Sequence, residues 1–107
     1  MSVADVDKID GIAMDNKDDR RLILLITDHL DWAEEYEHLL QLQNKINAYI
    51  DFLESEQYKD TYPEIQFATY CIEIHFRYEI TLNCIKFLDT INKQLSINNI
   101  LIEVIVL

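Results

Sequence analysis

Near Thr27 the continuous apolar run of residues 22–26 ends and apolar residues begin recurring at every third or fourth position. The short β-prone run suits the period of two of a strand and the pattern after it the 3.6 of a helix, so the chain must change structure there. Before the change, residues 20–27, Arg-Arg-Leu-Ile-Leu-Leu-Ile-Thr, form a strong strand. Residues 7–14 form a weaker one. The polar run Asp15-Asn16-Lys17-Asp18-Asp19 turns the chain between them, so the two read as a hairpin. After the change, Trp32, Tyr36, Leu39, Leu40, Gln43, Ile46, Ile50 and Leu53 fall within about 80° of one line at 100° per residue, which predicts a long helix over 30–55. Asp28 is placed to cap its start and Asp31 to face the positive end of its dipole. Glu34, Glu37, Gln41, Lys45 and Asp51 mark the wet side.

The same alternation then repeats. Residues 57–63 form a loop in which Pro63 drives Tyr62 out of helical space. Residues 64–76 read as a strand, with Ala68, Tyr70, Ile72, Ile74 and Phe76 on one face and Phe67, Thr69, Cys71, Glu73 and His75 on the other. A second helix over 80–95 carries Ile85, Leu88, Ile91 and Leu95 on one side, residues 96–99 break it, and 100–107 form a final strand. Right-handed crossovers make the last three strands parallel and leave the first antiparallel at an edge. The prediction is a single domain over 1–107 in the α/β class, arranged as an α+β unit: β-β-α-β-α-β, a four-stranded mixed sheet with two helices in a two-layer sandwich. A chain of this length buries roughly 65% of its unfolded surface, enough for a real core.

Two strands are apolar on both faces: Leu22, Leu24 and Ile26 against Ile23 and Leu25, and Ile100, Ile102, Val104 and Val106 against Leu101, Ile105 and Leu107. Such strands call for cover on both sides, each large side chain gaining roughly 1.5–3 kcal/mol on burial. Either the helices lie on opposite faces of the sheet, or a second molecule covers a bare one, which makes a homodimer an expectation.

Composition removes whole classes of function. One glycine cannot build a phosphate cradle or a nucleophile elbow. The net charge of −11 argues against nucleic acid and against an anionic membrane surface, and leaves a basic protein surface as the natural partner. The charge is lopsided: residues 1–60 hold 15 acids and 6 bases, net −9, and residues 61–107 hold 5 acids and 3 bases, net −2. Cys71 and Cys84 are too few for a disulfide framework and show no Cys-x-x-Cys spacing, so both read as reduced, half-buried apolar residues. Asp5, Asp7 and Asp10 interrupt any signal-peptide pattern, and the longest aliphatic run, 22–26, is far short of a membrane span, so the expected location is cytoplasmic.

The polar clusters each invite a chemical reading. The turn at 15–19 resembles a calcium loop in its acids, yet the sixth and twelfth positions from Asp15 are Arg20 and Ile26 rather than glycine and an acid. Glu35-x-x-His38 has the spacing that puts two metal ligands on one helical face, with Asp31 beside them and His29 nearby as a further ligand or base. A carboxylate-bridged di-metal site needs a second such motif, and there is none; a capped helix start with solvated acids is the plainer reading. Cys71, Glu73 and His75 share a strand face, which suggests an activated thiol, but neighbours two apart on a strand stand about 7 Å from each other, too far for a direct hydrogen bond. Tyr58, Tyr62, Phe67 and Tyr70 flank the loop before the third strand; without basic companions they make no nucleic-acid platform and more naturally close the end of the core.

The stretch Thr27-Asp28-His29-Leu30-Asp31-Trp32, followed by His38-Leu39-Leu40-Gln41-Leu42-Gln43 and running on to Ile50, resembles a family of small acidic bacterial proteins of unknown function; Glu54-Ser55 and Tyr62-Pro63 also fit. The resemblance implies a bacterial origin and one α/β domain. It implies no activity, and no catalytic, cofactor or metal residue is carried over from it. The residues themselves predict a non-enzymatic protein-binding or accessory protein, one form of which is an inhibitor or immunity protein masking a basic toxin or nuclease. A metal-binding protein or metal-dependent hydrolase built on Asp31, Glu35 and His38 is the alternative.

Overall fold

The computed structural model describes residues 3–107. Its strands are β1 (Gly11–Met14), β2 (Arg21–Asp28), β3 (Thr69–Phe76) and β4 (Ile100–Val106); its helices are α1 (Glu35–Glu54) and α2 (Leu82–Leu95). Single 3-10 turns occupy Gln57–Asp60 and Ser96–Asn98. The strands lie in the order β1-β2-β3-β4, with β1 antiparallel to β2 and the other three parallel. This is the predicted β-β-α-β-α-β mixed sheet. Because each parallel strand is laid down beside the last in one direction, right-handed crossovers bring both helices to the same face.

The burial pattern agrees. Leu22, Leu24 and Ile26 of β2, Ile72, Ile74 and Phe76 of β3, and Ile100 and Ile102 of β4 share a face and lie in one core with Leu42, Ile46, Tyr49 and Leu53 of α1 and Cys84, Leu88 and Leu95 of α2. The rival arrangement, with helices on opposite faces, does not occur. The odd-numbered residues of β2 are only partly buried and those of β4 are exposed, so one face of the sheet is bare.

Several boundaries and faces differ from the reading of the sequence. α1 starts at Glu35 rather than near residue 30, and Asp28 is no cap: its carboxylate accepts the Leu30 N–H and meets the His38 ring. The buried stripe of α1 is His38, Leu42, Lys45, Ile46, Tyr49 and Leu53, rotated by about 90° from the predicted one at 100° per residue. Tyr36 is therefore 76% exposed, while Lys45, predicted on the wet side, is fully buried. β3 begins at Thr69, five residues later than predicted, and β1 at Gly11, four later. α2 begins at Leu82 behind Thr81, whose hydroxyl accepts the Cys84 N–H; it buries Cys84 in place of Ile85. Both cysteines are free and buried outright, not half-buried.

Lys45 explains the path of residues 5–10. Its ammonium donates to the carbonyls of Asp5 and Lys8 and to Asp10 Oδ1 at 3.0 Å. Asp10 Oδ2 in turn accepts the Thr27 N–H at 2.9 Å. The Tyr49 hydroxyl receives the Asp10 N–H and donates to the Leu25 carbonyl. The segment before β1 is thus tied by its backbone to α1 and β2 rather than continuing the strand. No helix among the described residues is long and apolar enough to cross a membrane.

At the opposite edge, one side chain of α2 serves β4 as a partner strand would. The Asn92 amide accepts the Ile102 N–H at 2.7 Å and donates to the Ile102 carbonyl at 3.0 Å. Asn92→Leu will free both backbone groups; the expected cost is about 1–3 kcal/mol, read in chemical denaturation, with the Ile102 amide exchanging faster than Leu101 or Glu103.

Candidate functional site

The bare face is built by strand register. Arg21, Ile23, Leu25 and Thr27 stand opposite Thr69, Cys71, Glu73 and His75, and the last three of these stand opposite Leu101, Glu103 and Ile105. An apolar surface of Ile23, Leu25, Leu101 and Ile105 is therefore crossed by a polar line. Glu73 and Glu103 face each other on adjacent strands. His75 Nε2 lies 2.5 Å from Glu73 Oε1 on one side. Same-face neighbours two apart do bond directly here, against the reading of the sequence, because both side chains are long enough to lean along the strand. Arg21 Nη1 lies 3.9 Å from Glu103 Oε1 on the other side. The sequence places Glu73 and His75 on one face but not the pairing of two carboxylates, which depends on the register of β4.

Beside this line the hairpin leaves a shallow hollow of about 440 Å³, lined by Gly11, Ala13, Ile23, Leu25, Glu73 and His75 among others. Gly11 sits directly against Leu25, where an added Cβ would come within 3.1 Å of the Leu25 Cβ, so the chain's one glycine lets β1 approach closely.

Cys71 shares this face yet is 1% exposed, closed over by its neighbours. Burial pushes its thiol up to about 12, and the Glu103 carboxylate adds to the effect. That is the opposite of an activated nucleophile. Burial likewise pushes Cys84 up to about 12. Both thiols are expected to resist a thiol-labelling reagent at pH 8 in the folded protein and to react as two equivalents once urea is added.

A second polar cluster lies at the carboxyl end of β2. His38 Nε2 is 2.7 and 2.6 Å from the two oxygens of Asp28, and its Nδ1 is 3.0 Å from the Asp31 carbonyl. A carbonyl can only accept, so Nδ1 carries a hydrogen, and a further proton lies between Nε2 and the Asp28 carboxyl group. Trp32 stacks on the imidazole at 3.7 Å. Asp28 is 1% exposed and His38 is 2% exposed, so this pair is sealed inside the protein. Parallel strands laid down in sequential order also leave no crevice at a strand-order reversal, where open α/β sheets place their ligands.

The residues predicted to hold a metal are dispersed. Asp31 Oδ1 accepts the Ala33 N–H, Glu35 accepts from Asn83 of α2, His38 turns inward to Asp28, and His29 is exposed. Among the described residues no group of three or more His, Cys, Asp or Glu side chains is arranged to hold an ion. The aromatic residues do meet: Tyr58 packs edge-on against Phe67 and tilted against Tyr70, and Tyr62 packs edge-on against Phe67, forming a cluster beside the start of β3.

Burial holds the Asp28 carboxyl above its ordinary value of 3.8, although the hydrogen bond from His38 acts the other way. The folded state thus keeps this proton to higher pH than the unfolded chain does, and Asp28 lowers stability as pH rises from 3.8 towards its raised value. Denaturation of the wild type and of Asp28→Asn, stepped upward from pH 3.8, is expected to show the wild-type-minus-variant stability difference falling across that window.

A family model described as a family of unknown function (DUF6572) matches residues 1–107. No curated protein and no solved structure matches the chain.

Proposed function

We propose that this chain, which belongs to the family of unknown function DUF6572, is a cytoplasmic, non-enzymatic protein-binding or accessory protein that takes a basic partner on its bare sheet face. The observation that carries the reading is the Glu73–Glu103 register, which sets two acidic residues opposite each other in an apolar surface, Glu73 bonded to His75 and Glu103 3.9 Å from Arg21. Like charges directly opposite on a sheet are unfavourable, and a cation brought by a partner adds to what Arg21 supplies at that distance. Ile23, Leu25, Leu101 and Ile105 around the pair supply the apolar contact that holds such a partner in place. The net charge of −11 steers a basic protein towards it. An inhibitor or immunity protein that masks a basic toxin or nuclease is the narrower form of this reading.

Affinity capture from the native host at low salt, with mass spectrometry, tests it. The expected result is a basic protein that binds the wild type and is lost with Glu73→Gln/Glu103→Gln and with Leu25→Lys. Recovery of the bait alone, or of a partner indifferent to these substitutions, overturns it.

A further inference from the structure

We infer that two copies of this chain associate through the outer rim of β4, pairing antiparallel across a two-fold axis to join two four-stranded sheets into one of eight. β4 is an edge strand, bonded to β3 on one side only. The Leu107 N–H and the Asn99 carbonyl point to β3, so the odd positions bond inward and the N–H and C=O groups of Ile100, Ile102, Val104 and Val106 point outward. Asn92 holds those of Ile102, which leaves Val104 and Val106 as neighbouring open rungs. A symmetric antiparallel pair that uses these two rungs and keeps Asn92 in place has one register: Val104 against Val106 of the second copy, with Ile105 against its own equivalent. Four backbone hydrogen bonds form, two from each copy.

Exposure and charge point to the same occupant. Val104, Ile105, Val106 and Leu107 are 38%, 38%, 39% and 77% exposed, an apolar run that the pairing covers. Ile85, 48% exposed, lies seven residues before Asn92 on the same flank of α2 and extends the patch over the helix. Residues 82–107 carry two acids, Asp89 and Glu103, and two bases, Lys86 and Lys93. In a chain of net charge −11 this edge has a net charge of zero, so two copies meet here without opposing like charges. Ile105 is shared with the proposed partner contact, but Ile23, Leu25, Leu101 and the Glu73–Glu103 pair stay open, so the dimer and the partner-binding reading stand or fall separately.

Sedimentation of the wild type from about 1 µM to 1 mM is expected to show a rise from 12.7 kDa to twice that mass. Val104→Pro removes an N–H that the protomer itself does not use, and is expected to weaken association by about tenfold or more with an unchanged circular dichroism spectrum. Register is read by cysteine pairing, since the two native thiols are buried: Ile105→Cys is expected to form a disulfide-linked dimer under mild oxidation, and Glu103→Cys is not. A monomer throughout the concentration range, or cross-linking through position 103 instead of 105, overturns the proposal. Should Val104→Pro fail to fold, the cysteine pair decides.

Discussion

Lys45→Met will lower the unfolding free energy by about 3–5 kcal/mol, the expected penalty for breaking a buried ion pair from one side. Methionine keeps most of the length and the apolar stem, so the loss is almost all polar. The Asp10 carboxylate and the carbonyls of Asp5 and Lys8 lose their common donor in a place where the ammonium is fully buried. For a domain of this size each kcal/mol moves Tm by about 4–8 °C, so the melting curve shows the change plainly. The second signature is local. Amides of residues 3–10 and of Thr27, which donates to Asp10, will exchange faster in the variant, while the centre of β3 keeps its protection relative to global unfolding. In the Asp10→Leu background, Lys45→Met is expected to cost less than it does alone, because the carboxylate is no longer left unpaired. Equal costs in the two backgrounds would show that the contact contributes little.

His38→Leu is expected to have an effect of similar size, about 3–5 kcal/mol, at neutral pH. The imidazole gives a hydrogen to the Asp31 carbonyl and shares one with Asp28, while stacking on Trp32 at 3.7 Å. Leucine leaves Asp28 buried with only the Leu30 N–H to meet its carboxyl group. Because Trp32 is the chain's one tryptophan, its emission reports the lost stacking directly, separately from the unfolding measurement. Combining His38→Leu with Asp28→Asn should recover part of the loss, since the buried charge that creates it is gone.

The element order and the strand directions were legible because they follow from period and from chain handedness. β2 and β4 are apolar on both faces whatever packs around them, and the bare face was visible as one of two ways to resolve that excess. The orientation of α1 was not legible. Tyr36, Leu39, Leu40 and Gln43 make a plausible stripe, and the true one contains a histidine and a lysine that composition alone assigns to water. What turns the helix is the set of acceptors waiting for them: Asp28 at the end of β2 for His38, and the folded-back residues 5–10 for Lys45. Both are long-range partners with no local trace, although Leu42 and Tyr49 on the same flank were a signal that the face extended that way. Asp28 shows the same limit from the other side. Its position before a helical pattern reads as a cap, yet the proton it shares with His38 engages the carboxylate before the helix starts. The candidate site was half legible: alternation put Glu73, His75 and Cys71 on one face, and only the register of β4 brings Glu103 to Glu73.

The Asn92 bond has a consequence for how far β4 can recruit other chains. Stacking into a fibril wants an unbroken segment of about six or seven β-prone residues with low charge, and residues 100–107, Ile-Leu-Ile-Glu-Val-Ile-Val-Leu, come close to supplying one. With the third residue of that run held by a side chain from its own helix, and Glu103 placing a charge next to it, the length that a templating strand can grip falls below that threshold. The Asn92 amide and the Glu103 charge thus act together to favour limited assembly over open-ended polymerisation.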